Sequence, residues 1–196
     1  MKINLLGYAL IALVLYICIR IYKDTDYFHL KCIISTVDGK KYCVRERNKL
    51  ELAAGRLANA NINMKSLVKH CGNSFPDREN IKRLVDGYNP KQIYETLPTS
   101  VFTAYSKNKG EKLAFCLDTE RNGGVLIDMN TLTFVAIHEL AHIATETVGH
   151  TNEFWTNFKF LLEEATKINI YDPVDYKKNP KRYCGMDITD NPYYDF

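Results

Sequence analysis

The chain has 196 residues, with 26 Lys and Arg against 23 Asp and Glu, and a formal net charge of +3. That length suits one domain with a sizeable core, and so small a basic excess carries no argument for a nucleic-acid partner. Ten glycines and six prolines against thirteen tyrosines exclude a low-complexity or disordered chain.

Residues 3–19 carry no charge and lie between Lys2 and Arg20. At 1.5 Å per residue they span about 25 Å, the short end for a membrane helix. No small-residue cleavage site follows, because Arg20-Ile21-Tyr22-Lys23 comes next. The stretch reads as an uncleaved transmembrane anchor over residues 1–23, ahead of one domain over residues 24–196. Arg20, Lys23, Lys31, Lys40 and Lys41 outnumber Lys2 and the amino terminus. A single-pass membrane protein of this pattern keeps its body on the cytosolic or virion-interior side.

Residues 24–27 read as a polar linker. Residues 30–37 and 40–44 are β-rich runs around Asp38-Gly39, a dipeptide suited to a tight hairpin. From Arg45 the period becomes helical. Leu50, Ala53, Ala54, Leu57 and Ala58 form one apolar stripe, resumed by Ile62, Met64, Leu67, Val68 and Cys71 around a break expected near 59–63. Residues 72–76 are a turn cluster, Asp77 is placed to cap a short helix ending at Gly87, and Asn89-Pro90 opens a helical turn through Tyr94. Residues 101–106 and 111–117 predict a second hairpin. A polar loop, a short strand over 125–128, and a helix capped by Asn130 or Thr131 follow.

That helix carries the chemistry. It contains His138-Glu139-Leu140-Ala141-His142, and residues four apart share a helix face, so both imidazoles can reach one metal ion. Glu139 is rotated roughly 100° from His138 and can reach a water at the metal without being a ligand. Phe134, Val135, Ile137, Ala141, Ile143 and Ala144 make the helix apolar on more than one side, hence buried. A core histidine could account for one imidazole, but not for two together with a carboxylate. A helix stop at Gly149 would turn His150 back toward the pair. The expected ligands of one catalytic Zn2+ are His138, His142 and His150, with Glu139 as general base. The metzincin spacing would put a third histidine at position 148, which is Val148. Glu163, Glu164 and the weaker Glu153 stay open as alternatives for the third ligand.

Phe154, Phe158, Leu161, Leu162, Ala165 and Ile168 then mark a second helix, with Trp155 near the site floor. The tail over 171–196 is too aromatic to be disordered and should wrap back on the domain. Lys177, Lys178, Lys181 and Arg182 form a local basic face there, and Tyr176 or Tyr183 could offer a hydroxyl to the cleft. The six cysteines contain no C-x-x-C pair, which argues against a second zinc site. Free thiols in a reducing compartment fit their odd number outside the anchor, although Cys32 and Cys43 sit near each other across the first hairpin.

HELAH followed by Gly149-His150 and Glu153-Phe154-Trp155 resembles the SprT-like and WLM group of zinc metallopeptidases. The wider stretch over 95–196 looks closer still to HExxH proteins encoded by large DNA viruses. The resemblance implies an α+β fold, a mainly helical zincin-like domain with a small antiparallel or mixed sheet, here preceded by one transmembrane helix. It also implies that an edge strand, residues 112–117 or 101–106, holds the substrate backbone. The expected function is a membrane-anchored zinc metallopeptidase acting on protein or peptide substrates, with nucleic acid an unlikely partner. The alternative is a non-catalytic membrane or virion structural protein that keeps a zinc-stabilised fold; oligomeric state is not legible.

Overall fold

A computed structural model describes residues 5–24 and 30–195, so residues 1–4 of the expected anchor and 25–27 of the expected linker lie outside it. The first element, α1 (Leu5–Asp24), is helical as its uninterrupted apolar run dictates. The transmembrane assignment is corrected. Among the described residues no helix is long and apolar enough to cross a membrane. Within α1 the uncharged part covers residues 5–19 before Arg20, Lys23 and Asp24 follow. At 1.5 Å per residue that is about 22 Å, well short of a hydrocarbon core of about 30 Å. The single-pass location, and the orientation drawn from it, fall with the anchor.

β1 (Leu30–Ile34) and β2 (Lys41–Arg45) form the expected antiparallel hairpin, with Gly39 in the left-handed region at φ +68. β3 (Ile93–Glu95) stands where a helical turn was expected. It pairs in parallel with both β2 and β5, and so short a segment shows no period that would reveal it. β4 (Ala104–Lys107) and β5 (Lys112–Phe115) make the second hairpin. The resulting mixed sheet has the order β1-β2-β3-β5-β4, which leaves β4 at an edge and β5 inside. β6 (Asp118–Glu120) and β7 (Gly123–Leu126) form a separate ribbon.

α2 (Leu50–Ser74) runs unbroken through the asparagines at which a break was expected. Asparagine disfavours helix interiors because its amide competes for backbone bonds. Here tertiary partners occupy that amide instead. Asn61 Nδ2 donates to the Tyr42 hydroxyl at 2.8 Å and to Pro90 O at 3.0 Å, while Tyr88 donates to Asn61 Oδ1 at 2.7 Å. α3 (Glu79–Gly87) begins after Arg78 rather than on an Asp77 cap.

α4 (Met129–Ala144) is the centre of the molecule. It packs on α2, α3, α5 (Asn152–Lys167) and β4, which is why its sequence is apolar nearly all round. The tail wraps back as expected, through β8 (Lys181–Tyr183), β9 (Met186–Ile188) and the short α6 (Pro192–Asp195).

The free-thiol expectation is corrected too. Cys32 is bonded to Cys43, its direct cross-strand partner, and Cys116 to Cys184, 68 residues away. The second pair meets because Cys184 N–H donates to Asp118 O and Gly185 N–H to Thr119 O, which dock the β8–β9 turn onto β6.

Candidate metal centre

The N-cap of α4 is Asp128, not Asn130 or Thr131; its carboxylate accepts from Thr131 N–H and from Thr131 Oγ1, both at 2.8 Å. From that fixed start, His138 and His142 fall one turn apart on one face, with ring centroids 4.9 Å apart. The helix ends at Ala144, five residues before the glycine expected to stop it. Thr145 caps it, its Oγ1 donating to Ala141 O at 2.7 Å.

Two charged side chains then shape the loop over 145–151. Lys109 Nζ donates to His142 O at 3.2 Å, Thr145 O at 2.6 Å and Thr147 O at 3.2 Å. The Glu153 carboxylate accepts from Glu146 N–H at 2.9 Å, Thr147 N–H at 3.2 Å and Thr147 Oγ1 at 2.9 Å. Gly149 supplies the left-handed residue, at φ +88, that turns His150 inward. Lys109 is aimed correctly because Gly110, at φ +107, and Gly87 let the β4–β5 turn approach the end of α3; a Cβ at Gly110 would overlap the Gly87 carbonyl.

The outcome is a three-imidazole cluster. Ligand nitrogens of His138, His142 and His150 all lie within 4.8 Å of one another, and His150 Nε2 sits 3.1 Å from His138 Nε2. Tetrahedral zinc with bonds of about 2.0–2.1 Å holds its nitrogens about 3.3 Å apart, so the spacing and the donor set fit that ion. Burial opposes protonation. It lowers the His138 pKa to about 3, helped by His142 and His150, and that of His142 to about 4, helped by His150 and Lys109. Both rings are therefore neutral, the form that ligates metal.

Beneath the cluster lies Phe154, with ring centroids 4.9, 4.4 and 4.7 Å from His138, His142 and His150. Trp155, expected on the floor, touches only the His150 side, at 5.7 Å. Glu139 is 4 % exposed. Burial raises its pKa to about 8, against a hydrogen bond from the Ser106 N–H of edge strand β4. The carboxyl and the outer edge of β4 are thus physically joined.

A cleft of about 1230 Å3 contains His138, Glu139, His142 and His150 together with β4 and residues of β8–β9. That volume lies above the roughly 300–1,000 Å3 usual for small-molecule pockets. Among the other sequence candidates, Glu153 clasps the loop, and Glu164 accepts from His70 at 2.8 Å and Lys167 at 2.6 Å. Neither they nor Glu163 join the cluster among the described residues. Tyr176 is buried against Phe134, with ring centroids 4.9 Å apart, and does not line the cleft. Tyr183 does line it, its hydroxyl donating to Thr103 O at 3.2 Å. The basic tail face is largely engaged: Lys178 pairs with Asp175 at 2.7 Å and Arg182 with Glu120 at 2.8 Å.

Sequence reasoning missed Lys109, Ser106, the clasp role of Glu153 and the floor role of Phe154. Asp128 was findable, since an acid three residues before Thr131 is an N-cap signature. Lys109 was not, because its role depends on two glycines brought together only in the fold.

The chain is similar to viral proteins. It is 27 % identical over 187 residues to an uncharacterized protein of Acanthamoeba polyphaga mimivirus, covering 93 % of this chain and 92 % of the relative. An uncharacterized protein of Invertebrate iridescent virus 6 is 34 % identical over 82 residues, 41 % of this chain and 44 % of its own length. One of Invertebrate iridescent virus 3 is 44 % identical over 59 residues, 30 % and 36 % respectively. No family model matches the chain, and no solved structure does. The likeness to SprT-like and WLM peptidases therefore rests on the residues of the His138–Trp155 segment alone.

Proposed function

We propose that this protein is a zinc-dependent peptidase whose ion is held by His138, His142 and His150. The carrying observation is the three-imidazole cluster with a buried carboxyl, Glu139, on the same helix and at the edge of a large cleft. When bound, the ion supplies Lewis-acid chemistry, polarising a carbonyl and making water more acidic. Glu139 accepts the proton from the attacking water and returns it to the leaving amine. The Ser106 N–H keeps one carboxyl oxygen aimed into the cleft. β4, the last strand of the sheet, takes the substrate backbone along its outer edge beyond the Ser106 N–H, which sets the scissile carbonyl beside the histidines. A purely structural zinc site needs neither a base nor room for substrate, and this site has both.

The test is hydrolysis of an unfolded protein by zinc-loaded wild type and Glu139→Gln. General-base loss should cut the rate by about a hundredfold or more, with zinc content unchanged. Equal rates in the two proteins would remove Glu139 from the mechanism.

A further inference from the structure

Outside α1, eleven large apolar side chains are exposed among the described residues, and four of them gather at one place. Val101 is 80 % exposed, Phe102 64 %, Val148 88 % and Met186 48 %, and all four line the cleft. They come from three unconnected segments: the loop entering β4, the loop that carries His150, and the β8–β9 hairpin. Apolar surface converging from separate elements around a concave site marks a binding surface rather than scattered exposure.

Three of the charged side chains at the same rim are engaged by the protein itself, and the remaining Lys107 and Asp190 are of opposite sign. Lys109 is bonded to three carbonyls, Arg121 Nη1 donates to Ser100 O at 3.1 Å, and Asp187 accepts from Arg182 at 3.4 Å. Recognition of a strongly charged partner would need these groups turned outward. The walls are also anchored. Tyr183 ties β8 to Thr103, Thr103 Oγ1 lies 3.8 Å from the Met186 sulfur, and the Cys116–Cys184 bond fixes the turn between β8 and β9. The segments that carry Phe102 and Met186 are therefore held to each other at the cleft.

We infer that the cleft selects extended peptide segments with large aliphatic or aromatic side chains beside the bond held at the histidines. Phe102 and Met186, on two segments joined through Thr103, are the specificity-determining residues. This rests on the peptidase reading for the bond cleaved, but the side-chain preference is a property of binding. Such segments are buried in folded proteins, so the substrates would be unfolded chains or exposed apolar tails.

The test uses zinc-loaded Glu139→Gln, which holds peptide without turnover, and two fluorescent octapeptides. One carries Phe and Leu at its centre; the other carries Ser and Asp. Fluorescence anisotropy should show the apolar peptide bound at least about tenfold more tightly, as expected from burying one large side chain. Phe102→Ser and Met186→Ser, both at solvent-exposed positions, should each erase most of that difference. Equal affinities, or a preference untouched by both substitutions, would overturn the inference. If the apolar peptide binds as described but wild type never cleaves it, the preference stands and the peptidase reading falls.

Discussion

At the scale of single residues, the site sets two opposite pH dependences against each other. Without metal, Glu139 has a folded-state pKa raised from 4.5 to about 8, because burial disfavours its charge. A raised carboxyl pKa contributes stability below about 4.5 that is lost as pH climbs through 8. His138 and His142 run the other way, lowered from 6.5 to about 3 and about 4. Their contribution is complete above 6.5 and is lost as pH falls toward those values. In chelator, thermal stability should therefore peak near pH 6.5, and Glu139→Gln should remove the decline above it. A variant melting curve running parallel to wild type from pH 6.5 to 9 would contradict this. Lys109 offers a second residue-scale case. Its ammonium bridges the end of α4 to the loop bearing His150, but it also opposes positive charge at His142. Charge-assisted bonds contribute about 1.5–3 kcal/mol each, against about 1 kcal/mol for a solvent-screened repulsion. Positioning should win: Lys109→Met should release zinc to a competing chelator about tenfold more readily. Unchanged or tighter retention would leave Lys109 with a tuning role only.

At the scale of elements, the Cys116–Cys184 link closes a 68-residue separation and holds the β8–β9 hairpin on the cleft. Loop-closure entropy for that length is about 4 kcal/mol at most. Cys184→Ser should lower stability by up to that amount and open residues of the tail to protease before the rest of the domain unfolds. A tail as resistant as in wild type would show that the hairpin is held by its backbone bonds and Tyr183 alone. Element type was legible wherever a strong period or a turn dipeptide was present: the first hairpin, α4, α5 and the β4–β5 hairpin. It was illegible where tertiary partners override local preference. Asn61 of α2 bonds to Tyr42, Tyr88 and Pro90, and β3 exists only as a rung between β2 and β5. The end of α4 was misplaced for the same reason, since Lys109 and Glu153 arrive from elsewhere in the chain to shape the loop after Ala144.

At the scale of the whole molecule, three helices and an edge strand pack on one buried helix, and the three-histidine cluster sits where that helix reaches the cleft. That His138, Glu139, His142 and His150 come together at one cleft was legible because their spacing along one helix and its following turn puts them there. What the sequence could not show was where the tail docks, the apolar lining of the cleft, and the Cys116–Cys184 bond. The N-terminal apolar run misled because hydropathy signals a helix long before it signals a crossing. Length decides between them, and the uncharged part of α1 is too short. The most direct test is zinc content by mass spectrometry on the full chain supplied with zinc, beside His150→Ala and Glu153→Gln. One zinc per chain in wild type and Glu153→Gln, with the ion lost or bound far more weakly in His150→Ala, is the expected result. Full retention in His150→Ala, or a folded wild-type chain that takes up no zinc, would contradict the three-histidine centre.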